Sequence, residues 1–269
     1  MRERVAVQQE QRGARAPVPV PDADVLRDVQ VPRLKALEHA DTIFSLIHHL
    51  LEAPVNRCRI HPPAQPPATD LVERLRRLPS AVVSDQLERT GVVAGVRRIT
   101  SADLGILAGP AFTVRTRPGD NLAIYKAIEL ARDGEILVVD AGAVTNRAVV
   151  GEIAYRHAVA QGVGGLVIDG VIRDGEDIAA GSVPVFARGF THVGPYRTGP
   201  GELRGPVSVG DAVVRQGDLV VGDGDGVAVV PADRLGKVIE DGERQIEREQ
   251  EMLRLADEGK LDMSWLDDK

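Results

Sequence analysis

The sequence predicts an α/β domain in which a βαβ segment passes into a mixed sheet of short strands and closes on one long helix. Three observations carry this. Glu135-Ile-Leu-Val-Val-Asp140 and Leu166-Val-Ile168 are short unbroken apolar runs, as expected of strands covered on both faces, and a helical stretch from about Val149 separates them. From Pro184 onward the pattern changes to short apolar runs between glycine turns: Pro184–Ala187, Val207–Val209, Ala212–Val214, Leu219–Val221 and Val227–Val230. Pro231 then suits the first turn of a charged, amphipathic helix running to about Glu258.

The remaining elements fit around this frame. Helices are expected over Thr69–Leu78 and Ser80–Thr90, with Ser80 as N-cap. Ala108–Thr116 reads as a strand, and Pro118-Gly-Asp-Asn121 as a turn opening a helix through Ala131. The buried strand at 165–169 is expected to turn sharply at Gly170, and Gly222-Asp-Gly-Asp-Gly226 reads as a turn that lacks the ligand spacing of a calcium loop. Ahead of the domain at 70–269 lies an extension, 1–69. It comprises a polar tail to about residue 30, an apolar-striped helix over Pro32–Leu51, and an extended linker from Ala53 to Thr69 carrying Pro54, Pro62, Pro63, Pro66 and Pro67.

Composition narrows the function classes. A net charge of −7 offers no broad basic surface, so nucleic acid is not expected as a ligand. Cys58 is the sole cysteine, which excludes an internal disulfide and a cysteine-rich metal site and suits a reducing compartment. The charged start lacks a secretory apolar core and no run is long enough to span a bilayer, so the expected location is the cytoplasm, without membrane contact. The histidines show no His-Glu-x-x-His spacing, no Walker lysine accompanies the glycine-rich loop at 194–205, and no Gly-x-Ser-x-Gly elbow occurs.

Two segments carry chemistry. In Gly164-Gly-Leu-Val-Ile-Asp-Gly-Val-Ile-Arg-Asp174 the buried strand delivers an adjacent arginine and aspartate to its carboxyl end, where open α/β sheets place ligands. Arg173 offers a planar donor fork for a carboxylate, and Asp174 a hard oxygen for Mg²⁺ or Mn²⁺. Gly151 and Glu152 fall near the start of the following helix, where the free N–H groups of Ile153 and Ala154 make an anion site.

Over roughly residues 70–260 the chain resembles the 4-hydroxy-4-methyl-2-oxoglutarate / 4-carboxy-4-hydroxy-2-oxoadipate aldolases, a family that includes regulator of ribonuclease activity A. The likeness rests on Ser84-Asp85, Gly109-Pro-Ala-Phe-Thr-Val114, Gly119-Asp-Asn121, Gly151-Glu152, Asp169-Gly-Val-Ile-Arg-Asp174, Pro184-Val-Phe-Ala-Arg188 and the segment Gly217–Pro231. It implies the swivelling β/β/α layered sandwich as fold and a divalent cation, Mg²⁺ or Mn²⁺, as cofactor. It further implies Asp174 as the direct metal ligand, Arg173 as the group that binds the pyruvoyl end, Glu152 as the acid that orients the water carried by the metal, and the amides of Ile153 and Ala154, after Gly151, as the pyruvate carboxylate site. A Glu stands at 152 where some of these aldolases have Asp.

The resemblance implies class II aldol cleavage of a small 2-oxo acid to pyruvate and a second oxoacid, with oxaloacetate decarboxylation as companion activity. An imine mechanism is disfavoured, because Lys126 is the only lysine in the core and reads as a solvated helix residue. A homotrimer, or a hexamer of two trimers, is implied as well, with a C-terminal glutamate of a neighbouring copy reaching the metal's waters. Glu249 is the candidate and Glu247 the fallback, among acids whose helical spacing equally describes a solvated face. Two alternatives stay open. One is a regulator that binds a ribonuclease; the other is an aldolase for a different oxoacid, its pocket changed by Asp120, Asn121 and the 190–205 loop.

Overall fold

Long apolar runs and most of the glycine-turned short strands assemble into one mixed sheet, while Val207–Val209 and Ala212–Val214 pair in a separate two-stranded sheet. The computed structural model describes residues 58–101 and 103–266. The expected tail, the expected helix over Pro32–Leu51 and the first part of the linker therefore lie outside the described residues. In chain order the elements are β1 (Cys58–Ile60), α1 (Thr69–Leu75), α2 (Ser80–Gln86), β2 (Arg97–Arg98), β3 (Leu107–Thr116), α3 (Leu122–Leu130), β4 (Ile136–Asp140), β5 (Ala148–Val150), α4 (Glu152–Ala160), β6 (Gly165–Ile172) and α5 (Gly175–Ala179). They continue with β7 (Val185–Phe190), β8 (Gly201–Leu203), β9 (Val207–Val209), β10 (Ala212–Val214), β11 (Leu219–Gly222), β12 (Val227–Val230), a short 3₁₀ turn and α6 (Leu235–Asp257).

The main path of the sheet runs β1-β8-β3-β4-β6-β7-β2. Its centre is parallel: β4 lies beside β3 in the register Phe112 opposite Leu137, and β6 beside β4 with Val138 opposite Val167. β3 is long enough to serve two neighbours on its other side. Its first half pairs antiparallel with β11 and its last residues with β8. The alternation of side chains sorts the core into layers. Phe112, Val114, Leu137, Val139, Leu166 and Ile168 face α3, α4 and α5, whereas Ala111, Ile136, Val138, Val167 and Phe186 face the β9–β10 hairpin and one side of β11 and β12. The far side of β11 and β12, through Leu219, Val221, Ala228 and Val230, packs on α1, α2 and α6. The order of layers is thus helices, sheet, a second β layer, and helices again, the layered α/β arrangement that the sequence predicts.

Several boundaries differ from expectation for identifiable reasons. β6 does not turn at Gly170 but continues to Ile172, with a register shift against β7 between Ile168 and Val171. Glycine is needed there for space, because a Cβ would lie 3.0 Å from the Cβ of Ala141. Val149 and Val150, expected in the opening of a helix, join Ala148 in β5 alongside Val171 and Ile172. Within the glycine- and proline-rich loop, Gly201–Leu203 forms β8, and Cys58–Ile60, in the stretch expected as linker, pairs parallel to it as β1. Ser80 is not a cap. Its N–H and hydroxyl both donate to the Asp223 carboxylate at 2.7 Å, tying α2 to the β11–β12 turn.

Candidate functional site

The carboxyl end of β6 and the amino end of α4 meet at one edge of the sheet. Because β5 lies beside the end of β6, the chain enters α4 next to the residue where β6 stops, and the Arg173 N–H donates to the Val150 carbonyl at 2.9 Å. Gly151 caps α4 with extended backbone. The first intrahelical bond runs from the Tyr155 N–H to the Gly151 carbonyl, so the N–H groups of Glu152, Ile153 and Ala154 are left over. That of Glu152 donates to Asp174 Oδ2 at 3.0 Å. Those of Ile153 and Ala154 have no partner among the described residues.

Asp174 occupies the left-handed region, φ 56° and ψ 46°, immediately before α5. A non-glycine residue there is uncommon, and such backbone strain concentrates at functional sites. The turn brings its carboxylate back over Gly151, 3.6 Å from Arg173 Nε. A Cβ on Gly151 would stand 2.6 Å from Asp174 Oδ2 and 2.9 Å from Arg173 Nε, so only glycine leaves room for both groups. Arg173 and Asp174 are about two-fifths exposed, 36% and 39%, which leaves both accessible to a ligand. They open onto a cavity of about 620 Å³ lined also by Gly175, Glu176, Ala179, Phe190, Thr191 and His192. A second hollow of about 640 Å³ between α4 and α5 shares Glu176 but has neither Arg173 nor the left-handed Asp174.

Of the expected site residues, Gly151, Glu152, Ile153, Ala154, Arg173 and Asp174 lie together. The Glu152 side chain turns away from Asp174 and accepts from Arg156 Nε at 2.7 Å, an exposed pair one helical turn apart. Ile153 projects outward at 71% exposure, whereas Ala154 is buried. Glu249 is exposed and accepts from Gln245 at 2.7 Å, Glu247 is exposed too, and no hydrogen bond or ion pair joins either to Asp174. Asp120 and Asn121 are not pocket walls. Asp120 is fully buried, with its carboxylate accepting from the N–H groups of Leu122, Thr198 and Gly199 and from the Thr198 hydroxyl. Burial alone would raise its pKa, but these hydrogen bonds hold it below the ordinary carboxyl value. Asn121 is 3% exposed.

Of the segments expected to shape a changed pocket, the 190–205 loop does supply the cavity wall of Phe190, Thr191 and His192, whereas a cluster formed by Arg117, Arg147 and Tyr196 was missed by sequence reasoning. The guanidinium carbons of Arg147 and Arg117 lie 4.1 and 5.2 Å from the centre of the Tyr196 ring. No sequence signal joins Arg117, Arg147 and Tyr196, which are brought together only by the fold.

For a metal, the donor set is one partly exposed carboxylate. No group of three or more His, Cys, Asp or Glu side chains able to hold an ion occurs among the described residues. This does not fit a protein cage of the zinc type. It does fit Mg²⁺ or Mn²⁺, since Mg²⁺ keeps several waters and binds through one or two carboxylates.

Comparisons with known proteins bear on the family and the fold. A protein of Halalkalibacterium halodurans, provisionally named 4-hydroxy-4-methyl-2-oxoglutarate aldolase, is 35% identical over 177 residues, 65% of this chain and 83% of its own. The crystal structure of Streptomyces coelicolor RraAS2, described as an unusual member of the RNase ES inhibitor RraA protein family, superposes with a TM-score of 0.64 at 28% identity, covering 72% of this chain and all of that one. The RNA-processing inhibitor RraA from Thermus thermophilis gives a TM-score of 0.52 at 25% identity over 57% of this chain and 92% of its own. Residues 80–229 match the family model described as RraA-like, Aldolase/RraA, and the chain belongs to that family.

Proposed function

We propose that this chain is a divalent-metal-dependent carbon–carbon lyase that cleaves 2-oxo acids of the 4-hydroxy-4-methyl-2-oxoglutarate type to pyruvate and a second oxoacid, and that it also decarboxylates oxaloacetate. The observation that carries the reading is the convergence of the Asp174 carboxylate, the Arg173 guanidinium and the unpartnered amides of Ile153 and Ala154 around Gly151. Asp174 would hold a hydrated Mg²⁺ or Mn²⁺, which would supply a Lewis acid to the pyruvoyl end. The two amides and the helix dipole hold that carboxylate, and Arg173 shares the negative charge that develops as the C–C bond breaks. Glu152, released from its exposed pair with Arg156, orients a water that takes the proton of the C4 hydroxyl. Oxaloacetate builds the same charge when it loses CO₂, so the same residues serve both reactions.

The site is completed, in this reading, in a homotrimer or a hexamer of two trimers. Glu249 of a second copy, with Glu247 as fallback, approaches the waters around the ion. Two features support assembly: the outer half of α6 is exposed, and Met252, Leu253, Met263, Trp265 and Leu266 near the C-terminus are each about half exposed or more.

A coupled pyruvate assay tests the function. After removal of divalent ions, adding back Mg²⁺ or Mn²⁺ is expected to restore pyruvate release from branched 4-hydroxy-2-oxo acids and from oxaloacetate. If none is turned over and the chain captures a ribonuclease tightly, the second reading, suggested by the names of the RraA structures, replaces the first. Light scattering that shows a fully active monomer, or normal turnover in both Glu249→Ala and Glu247→Ala, removes the shared site.

A further inference from the structure

Beside the cavity lie two guanidinium groups that form no ion pair among the described residues. Arg147 donates to the Gly194 carbonyl and, at 3.3 Å, to the Tyr196 hydroxyl. Arg117 donates to the Thr198 hydroxyl at 3.2 Å, and both rest against the Tyr196 ring. All these acceptors are neutral, and they leave guanidinium donors over. Asp120, in the turn beneath them, is committed to the amides of the 198–199 loop. Two adjacent unpaired cations are out of character in a chain of net charge −7. An anion bound between them would relieve their mutual repulsion, and planar guanidinium forks are suited to a carboxylate.

The cluster adjoins the reacting end. Arg147 holds the Gly194 carbonyl, while a Cβ on Gly194 would fall 2.9 Å from Arg173 Nη1, so a single residue separates the two guanidinium groups. Gly119 performs the same service behind Arg147, where a Cβ would stand 2.8 Å from Cδ, and the arginine stem is thereby fixed on the Gly119-Asp-Asn121 turn. Apart from Arg173, the cavity wall carries no guanidinium or ammonium group.

We propose that Arg147 and Arg117, held on Tyr196, form a subsite for a second acidic group of the ligand, remote from the 2-oxo carboxylate bound at Arg173. The inference rests on the aldolase reading for calling that ligand a substrate, and on the charge pattern for its chemistry. An acid-tailed 2-oxo acid is then preferred over one of equal length ending in a methyl group, because the neutral tail leaves both guanidinium groups unanswered.

Calorimetry on the full chain with Mg²⁺ tests this without turnover, using 2-oxoglutarate and 2-oxopentanoate, which differ by a carboxylate in place of a methyl. The expected result is about tenfold tighter binding of 2-oxoglutarate, the ratio that one charge-assisted hydrogen bond supplies. That ratio is expected to fall towards one in Arg147→Gln and in Arg117→Gln, and to persist in large part in Arg147→Lys, which a folding defect would not spare. Equal affinities in the parent chain, no binding of either acid, or an undiminished ratio in the double variant Arg117→Gln/Arg147→Gln would overturn the subsite. The two readings fail separately. Discrimination without pyruvate release from any 4-hydroxy-2-oxo acid retains the subsite and removes the aldolase, whereas pyruvate release with equal affinities retains the aldolase and removes the subsite.

Discussion

Asp174 combines strain with accessibility, and the two can be separated by mutation. Asn tolerates the left-handed region and keeps an oxygen for the Glu152 N–H, but carries no charge for an ion. Asp174→Asn is therefore expected to unfold within a few degrees of the parent while losing about a hundredfold or more in metal-dependent turnover, the scale on which removing one electrostatic group acts. Thermal unfolding beside the pyruvate assay checks it, and retention of metal-stimulated activity would take Asp174 out of the mechanism. Gly151→Ala probes the same point from the other side. Its backbone is extended and strains no side chain, yet the new methyl meets Asp174 Oδ2 at 2.6 Å and Arg173 Nε at 2.9 Å. Turnover is expected to fall at least about tenfold with the fold intact, as small misplacements at a reacting centre do. An alanine variant with parental kinetics would show that the pair is not held by this close approach.

Among the elements, β6 carries both the site and an internal ion pair. Asp169, on the face of β6 opposite the α3–α5 layer, pairs with Arg188 of β7 and accepts from the Gly210 N–H at 3.0 Å, pinning the β9–β10 turn. The Asp169 side chain is only 7% exposed, so removing its partner leaves a carboxylate in apolar surroundings. Arg188→Leu is expected to cost roughly 2 kcal/mol or more, below the full penalty for a buried pair because Arg188 is a quarter exposed. Denaturant titration measures it, and a neutral result would show that the carboxylate finds water instead. The strands most legible in the sequence were those with unbroken apolar runs, β4 and the first part of β6, where burial on both faces leaves no other reading. β5 was hidden because Ala148-Val-Val150 is equally good as a strand or as the start of the helix that follows. β1 and β8 were hidden because three-residue edge strands next to prolines carry no period. Arg173–Asp174 and the helix start were visible as neighbours of such runs. The Arg117–Arg147–Tyr196 cluster was not, since topology alone joins residues so far apart.

For the molecule as a whole, acid sensitivity follows from its buried carboxylates. Asp120 and Asp223 are both buried enough to raise their pKa values, but hydrogen bonds outweigh that and lower them. A folded-state pKa below the unfolded value, near ~3.9, means stability that is present above that pH and lost as pH falls through the folded value. Asp218 has the opposite sign, since burial raises it, and its contribution is present at low pH and lost as pH rises through the raised value. The chain is thus expected to lose stability below about pH 4, and Asp120→Asn, while weaker at neutral pH, to flatten that acid slope. Unfolding midpoints across pH check this, and an unchanged slope would mean that Asp120 is not a source of it. The way β3 is shared has a consequence for how the chain is made. Its first half waits for β11, which pairs Leu107 with Gly222 and Pro110 with Leu219, across roughly a hundred residues of intervening chain. As the polypeptide leaves the ribosome, the βαβ segment can associate before that partner exists. A buried apolar strand then stands open along one edge until β11 is translated. Nascent chains stalled short of residue 219 should be the ones that chaperones hold and that aggregate when released, and a few more residues should end that vulnerability.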